Sequence, residues 1–338
     1  MKILGRVLAL AAGLGLAQGA SAQTTDLKFT LDWVFQGPTA AFLVANKKGY
    51  YKDEGLNVTI DKGQGSGQAV TRIAGGAYDM GFADINSLIE FNVKNPDKAM
   101  KAVLMVYDAP PFGVYSLKKN NISKPADLVG KTLGAPVFDA SYRLFPAFAA
   151  KTGIDNAKVN KKNMDPPLRE TMLVRGEVDF ISGHYFSSFL DLKARGAAAE
   201  DIVPMLYADF GLDFYGNAVI VGSKFAAEKP NAVKGFNKAT IRAWKDVLAN
   251  PTEAVAIAKG IDALIDDKLE LERLDLAIKT NILTPYVKAN GMGDVDKARL
   301  GRSIEQVAQA FALATTPKAD DIWTDAFLPP KADRMVAK

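Results

Sequence analysis

The chain of 338 residues has no cysteine and one histidine, and both scarcities narrow its chemistry. Without cysteine there is no disulfide framework, no thiol nucleophile and no thiolate metal site. One histidine, His184, leaves no two-histidine metal motif. No G-x-S-x-G elbow, Walker loop or dinucleotide-type G-x-G-x-x-G after a strand is present. Beyond residue 22 no stretch is apolar enough for a membrane helix. No basic block occurs either: without Lys2 and Arg6 the chain carries 40 Lys and Arg against 38 Asp and Glu. That balance excludes a nucleic-acid footprint.

The N-terminus is informative. Lys2 and Arg6 precede an uncharged apolar run from Val7 to Leu16, followed by Ala20-Ser21-Ala22. This three-part layout predicts a signal peptide over 1–22, cleaved near Ala22-Gln23. A lipid-anchored bacterial precursor needs Cys at the cleavage point, where this chain has Gln23. The expected mature protein is periplasmic, free in solution and monomeric.

The remainder alternates strand and helix signals, which predicts an α/β protein with mostly parallel sheet. Leu27 to Leu31 reads as a strand, Pro38 to Lys48 as a helix ended by Gly49, and Leu56, Val58 and Ile60 as an alternating strand. Gly63 to Gly67 opens a second helix, and Met80 to Ala83 is a further strand. Val233, Phe236, Ala239, Trp244 and Val247 share a later helical face.

The chain also resembles itself. Gly76-Ala77-Tyr78-Asp79-Met80 has a counterpart in Gly176-Glu177-Val178-Asp179-Phe180, in a register that matches Asp84 with His184 and Ser87 with Ser187. Leu31 to Phe35 likewise pairs with Gly134 to Phe138. Two lobes on one plan are expected: lobe one from 23–108 and 216–338, lobe two from 109–215. Two crossings between them make a hinge and a cleft.

Candidate ligand contacts then follow from strand ends, where open α/β sheets bind small molecules. Lobe one offers Asp32, Trp33, Phe35, Gly65, Ser66, Asp84, Asn86 and Tyr107. Lobe two offers Phe138, Asp139, Ser141, His184 and Tyr185, and Tyr215 and Asn217 close the floor. Each has a structural alternative: Trp33 as core, Ser66 and Asp84 as helix caps, His184 as a satisfied interior residue. Trp244 and Trp323 read as packing.

Leu31-Asp32-Trp33, the run Gly49 to Leu56, Gly65-Ser66-Gly67, Gly76-x-x-Asp79-x-Gly81-x-x-Asp84 and Asp127 to Gly134 resemble one group of solute-binding proteins. It is the group related to pyrimidine-precursor and nitrate/sulfonate/taurine binding proteins of ABC importers. The resemblance implies a type II periplasmic binding fold that closes two lobes on a small solute and hands it to an inner-membrane permease, with no cofactor or metal. The same superfamily includes fungal enzymes that make the thiamine pyrimidine with a histidine and a cysteine-rich iron motif; this chain lacks the cysteines.

The favoured ligand is a planar, aromatic or heteroaromatic solute, sandwiched by rings and donating to Asp32 and Asp84. The alternative is a small organic anion held by backbone N–H groups with Arg143 or Arg169. An exported enzyme using Asp84 and His184 as an acid–base pair is the rival class.

Overall fold

The computed structural model describes residues 24–336. The expected signal peptide and its cleavage point lie outside them. Ten strands occur among the described residues: β1 Thr25–Thr30, β2 Leu56–Asp61, β3 Met80–Asp84, β4 Lys101–Met105, β5 Phe112–Leu117, β6 Thr132–Ala135, β7 Asn160–Asn163, β8 Phe180–His184, β9 Ile202–Leu206 and β10 Asn217–Val221. The helices that matter to the site are α1 Ala40–Lys47, α2 Ser66–Ala74, α3 Ile85–Lys94, α4 Ala140–Lys151, α5 Arg169–Val174, α6 Pro230–Ala249, α7 Asp267–Ala277 and α8 Lys297–Ala310.

The strands form two five-stranded sheets, ordered β2-β1-β3-β10-β4 and β7-β6-β8-β5-β9. In each, the strand arriving from the other sheet enters fourth and runs antiparallel to its neighbours. The internal repeat has a physical basis. Gly76 and Gly176 both turn the chain at φ +74°, a conformation glycine adopts without a Cβ penalty. The aspartate three residues on then pins the parallel neighbour of the strand it precedes: ahead of β3, Asp79 accepts from the Lys28 N–H of β1 at 2.8 Å, and ahead of β8, Asp179 from the Thr132 N–H of β6 at 2.7 Å. Asp84 and His184 end equivalent strands, opposite Asn217 and Phe112 respectively.

Some boundaries differ from the periodicity. β1 starts at Thr25 because that residue pairs with Leu56, and it stops at Thr30. The helix expected from Pro38 opens with a 3₁₀ turn, Gly37–Thr39, before α1 begins at Ala40. α6 buries Phe236 and Trp244 against α1, and Trp323 is core as well. The chain passes between sheets after β4 and again before β10. We propose 108/109 and 215/216 as the lobe boundaries on that account.

The two sides are closed on each other. The Gly67 N–H donates to the Phe138 carbonyl at 3.2 Å, and Gln36 Nε2 donates to Ser187 Oγ at 3.3 Å. Buried Arg273 of α7 donates to the Phe186 and Ser187 carbonyls at 3.0 and 3.1 Å and pairs with Asp191 at 2.8 Å. Arg143 of α4 pairs with Glu90 of α3 on the opposite rim.

Candidate functional site

The strand ends of both sheets meet around a small cavity of about 30 Å³. Of the residues expected from sequence, Asp32, Trp33, Gly65, Ser66, Tyr107, Asp139, His184 and Asn217 line it. Local backbone explains the first pair. Just past β1 the chain turns, and the Gly65 N–H donates to the Asp32 carbonyl at 2.6 Å. Gly65 itself sits at φ +134°, and a Cβ there would stand 2.3 Å from the Phe138 carbonyl oxygen across the cleft. Only glycine lets the two sides approach this far.

Asp32 is 6 % exposed and pairs with no cation among the described residues. Its Oδ2 accepts from Ser66 Oγ at 2.9 Å and Asn217 Nδ2 at 2.6 Å. Burial outweighs these bonds and pushes its carboxyl up to about 6. Asn217 presents a buried Oδ1 with no partner among the described residues, an open acceptor in the cavity wall. Asp139, on the other side, is raised by burial, with the Arg169 guanidinium opposing.

Arg169 is the residue whose role the spacing does not announce. It is 2 % exposed, 3.3 Å from Asp139 and 2.7 Å from Glu170, with its guanidinium carbon 5.1 Å from the Trp33 ring centre. One cation therefore faces two carboxylates of its own, and Asp32 remains without one. Gln36, Thr39, Phe186 and Ser187 also line the cavity.

His184 lies edge-on to Tyr107, Phe112 and Phe186, with ring centres 6.3, 5.5 and 5.5 Å away. Burial, with Arg169 nearby, holds its imidazole down to about 3, so it is neutral. It makes no hydrogen bond among the described residues. Its expected acid–base partner is engaged elsewhere: Asp84 caps α3 through the Asn86 and Ser87 N–H groups at 3.1 and 3.0 Å. Asp84 is fully buried behind the cavity wall, where burial raises its carboxyl to about 7.

Other expected contacts are also placed outside the cavity. Asn86 is tied to Asp84, the Tyr215 carbonyl and Ser303. Tyr215 is buried, its hydroxyl accepting from the Asp296 N–H at 2.8 Å and its ring 4.0 Å from the Arg299 guanidinium. Ser141 is buried in the first turn of α4. Phe138 is 40 % exposed and contributes its carbonyl to the cross-cleft bond. Tyr185 packs on Phe189, and Phe35 lies outside the inner cavity under the Lys62 ammonium. Among the described residues no three His, Asp or Glu side chains gather as a metal site requires, and no helix is long and apolar enough to cross a membrane.

Two mixed five-stranded α/β units closed over a cavity at their strand ends constitute the periplasmic binding protein fold. Residues 37–254 match the family described as NMT1/THI5 like, and the chain belongs to that family.

Similar relatives include the formylaminopyrimidine-binding protein of Halalkalibacterium halodurans, 24 % identical over 229 residues, which are 67 % of this chain and 68 % of the relative. The riboflavin-binding protein RibY of Chloroflexus aurantiacus is 24 % identical over 297 residues, 86 % of this chain and 82 % of the relative. A Legionella pneumophila protein named 4-amino-5-hydroxymethyl-2-methylpyrimidine phosphate synthase is 23 % identical over 227 residues, 66 % of this chain and 70 % of the relative. Among solved structures, the alkanesulfonate-binding protein of Xanthomonas axonopodis pv. citri bound to MOPS superposes with TM-score 0.68 at 14 % identity, over 88 % of this chain and 98 % of that one. At that identity the likeness is one of fold.

Proposed function

We propose that this chain is the solute-binding subunit of an ABC importer, exported to the periplasm. There, as a monomer, it encloses a planar heteroaromatic solute bearing N–H donors and delivers it to the permease. The observation that carries this reading is the uncompensated carboxylate of Asp32, buried beside the open acceptor Asn217 Oδ1 and the rings of Trp33, Tyr107 and His184. A buried carboxylate without a cation is costly, and a ligand that donates to it offsets that cost. Relatives named for a formylaminopyrimidine and for riboflavin support a heteroaromatic solute.

The anion alternative finds less support. Arg169 is matched by Asp139 and Glu170, Arg143 by Glu90, and the Gly67 N–H at the start of α2 already serves Phe138. An enzyme working through Asp84 and His184 finds less again, because the first is bound up as a cap and the second is neutral and surrounded by rings. Native mass spectrometry of the purified protein, with denaturing extraction of its cargo, tests the reading. A chemically intact heteroaromatic supports it. A sulfonate keeps the transport role and overturns the pocket chemistry; turnover of an added pyrimidine overturns the binding role.

A further inference from the structure

Trp33, Val34, Gln36 and Arg169 line two cavities at once: the inner one already described and a larger chamber directly outside it. The inner cavity, at about 30 Å³, has room for a water or two in this arrangement, so a ring enters it only with the two sides set further apart than here. The outer chamber holds about 330 Å³. Its walls come from both sides of the cleft, with Phe35 and Leu264 from one and Pro166 and Pro167 from the other.

Two features define what this chamber suits. Its rim holds large apolar side chains in water: Leu264 is 94 % exposed and Val34 37 %. Its charges, meanwhile, are already engaged. Lys62 pairs with Asp262, Arg273 with Asp191 and Glu270, Arg195 with Asp191 and Arg169 with Glu170, while Asp266 caps α7 through the Leu269 N–H. Among the described residues every cation lining it has a carboxylate partner, so none waits for a phosphate or carboxylate, and the one carboxylate without a cation, Asp266, serves the helix cap.

We infer that the outer chamber is a second subsite, taking an uncharged apolar substituent of the same solute whose ring enters the inner slot. The inference rests on the heteroaromatic reading above and narrows it: the solute is two-part and its outward portion carries no charge. A small polar ring alone leaves Val34 and Leu264 exposed, whereas an extended solute covers them. Covering a leucine-sized apolar surface is worth about tenfold in affinity.

Three probes test this by titration calorimetry against the purified protein: 4-amino-5-hydroxymethyl-2-methylpyrimidine, its benzyl ether and its phosphate ester. Each is titrated into the native protein and into Leu264→Asp, a substitution at a position too exposed to disturb folding. The benzyl ether is expected to bind at least about tenfold tighter than the alcohol, and the phosphate ester no tighter than the alcohol. Leu264→Asp is expected to remove about tenfold from the ether alone and leave the alcohol within twofold. An ether no tighter than the alcohol overturns the second subsite while leaving the ring slot standing. Ether affinity untouched by Leu264→Asp also overturns it. Absence of binding by every probe overturns the heteroaromatic reading, and the subsite with it.

Discussion

Arg169 stands over the face of Trp33, its guanidinium carbon 5.1 Å from the ring centre, although the two residues belong to opposite sides of the cleft. The contact joins the closing of the cleft to a buried charge cluster, because the same guanidinium neutralises Asp139 and Glu170. Removing the arginine strands two carboxylates in a desolvated site, which costs about 3–5 kcal/mol for a buried pair. Arg169→Met is therefore expected to lower unfolding stability by about that amount in denaturant titrations. Adding Asp139→Asn should recover part of it. A single-mutant loss below about 1 kcal/mol would show that the cluster contributes little.

Trp33 carries a separate prediction. With a planar solute bound, the indole face is expected to supply stacking worth about 1 kcal/mol or more beyond its area. Trp33→Ala should weaken binding of the co-purified solute at least tenfold in calorimetric titrations. A change within twofold removes Trp33 from the binding surface and leaves it only its contact with Arg169.

The carboxyl of Asp32 sets the expected pH dependence. Its folded-state value is raised from 3.8 to about 6, so ionising it opposes folding, and this group's contribution to stability falls as pH rises from about 4 to 6. Ligand binding has the opposite sign, since protonation turns one carboxyl oxygen into an O–H donor that cannot accept from a ligand N–H. Affinity for a solute that does not itself ionise in this range should hold steady above pH 6. Below it, affinity should fall up to tenfold per unit. Asp32→Asn should flatten the profile. A native profile flat from pH 4.5 to 7.5 would exclude Asp32 as the acceptor.

The sequence revealed what is repeated and local. Gly76-x-x-Asp79 and Gly176-x-x-Asp179 are legible because each performs one backbone task, a positive-φ turn followed by a carboxylate that clamps the neighbouring parallel strand. Asp32 and Trp33 were legible as residues at a strand end. What spacing cannot distinguish is the use made of a carboxylate at such an end. Asp84 and Asp32 look alike in sequence, yet the backbone after Asp84 continues directly into α3 and presents two N–H groups to it. The chain after Asp32 turns away, and its side chain is left to Ser66 and Asn217. From spacing, Arg169 is a candidate anion contact and nothing more. An arginine after Pro166-Pro167 gives no sign of burial until the fold brings Asp139 beside it from 30 residues away.

Gly65 tests whether closure is required for binding. Its backbone lies at φ +134°, and an added Cβ would come within 2.3 Å of the Phe138 carbonyl oxygen and 2.4 Å of its carbon, both on the far side of the cleft. Rigid backbone on that side cannot yield as a flexible side chain would. Gly65→Ala thus carries two penalties: local strain of about 1–3 kcal/mol, and a clash that arises only when the sides meet. The first lowers stability with or without ligand. The second acts on the closed form alone and shifts the population toward the open one, since closing contacts can no longer form together. Small-angle scattering should show the native protein compacting when the co-purified solute is added back, and Gly65→Ala remaining extended at the same concentration. Should the variant compact normally and bind with native affinity, the close approach at Gly65 is incidental, and closure rests on Arg273 and its carbonyl partners instead.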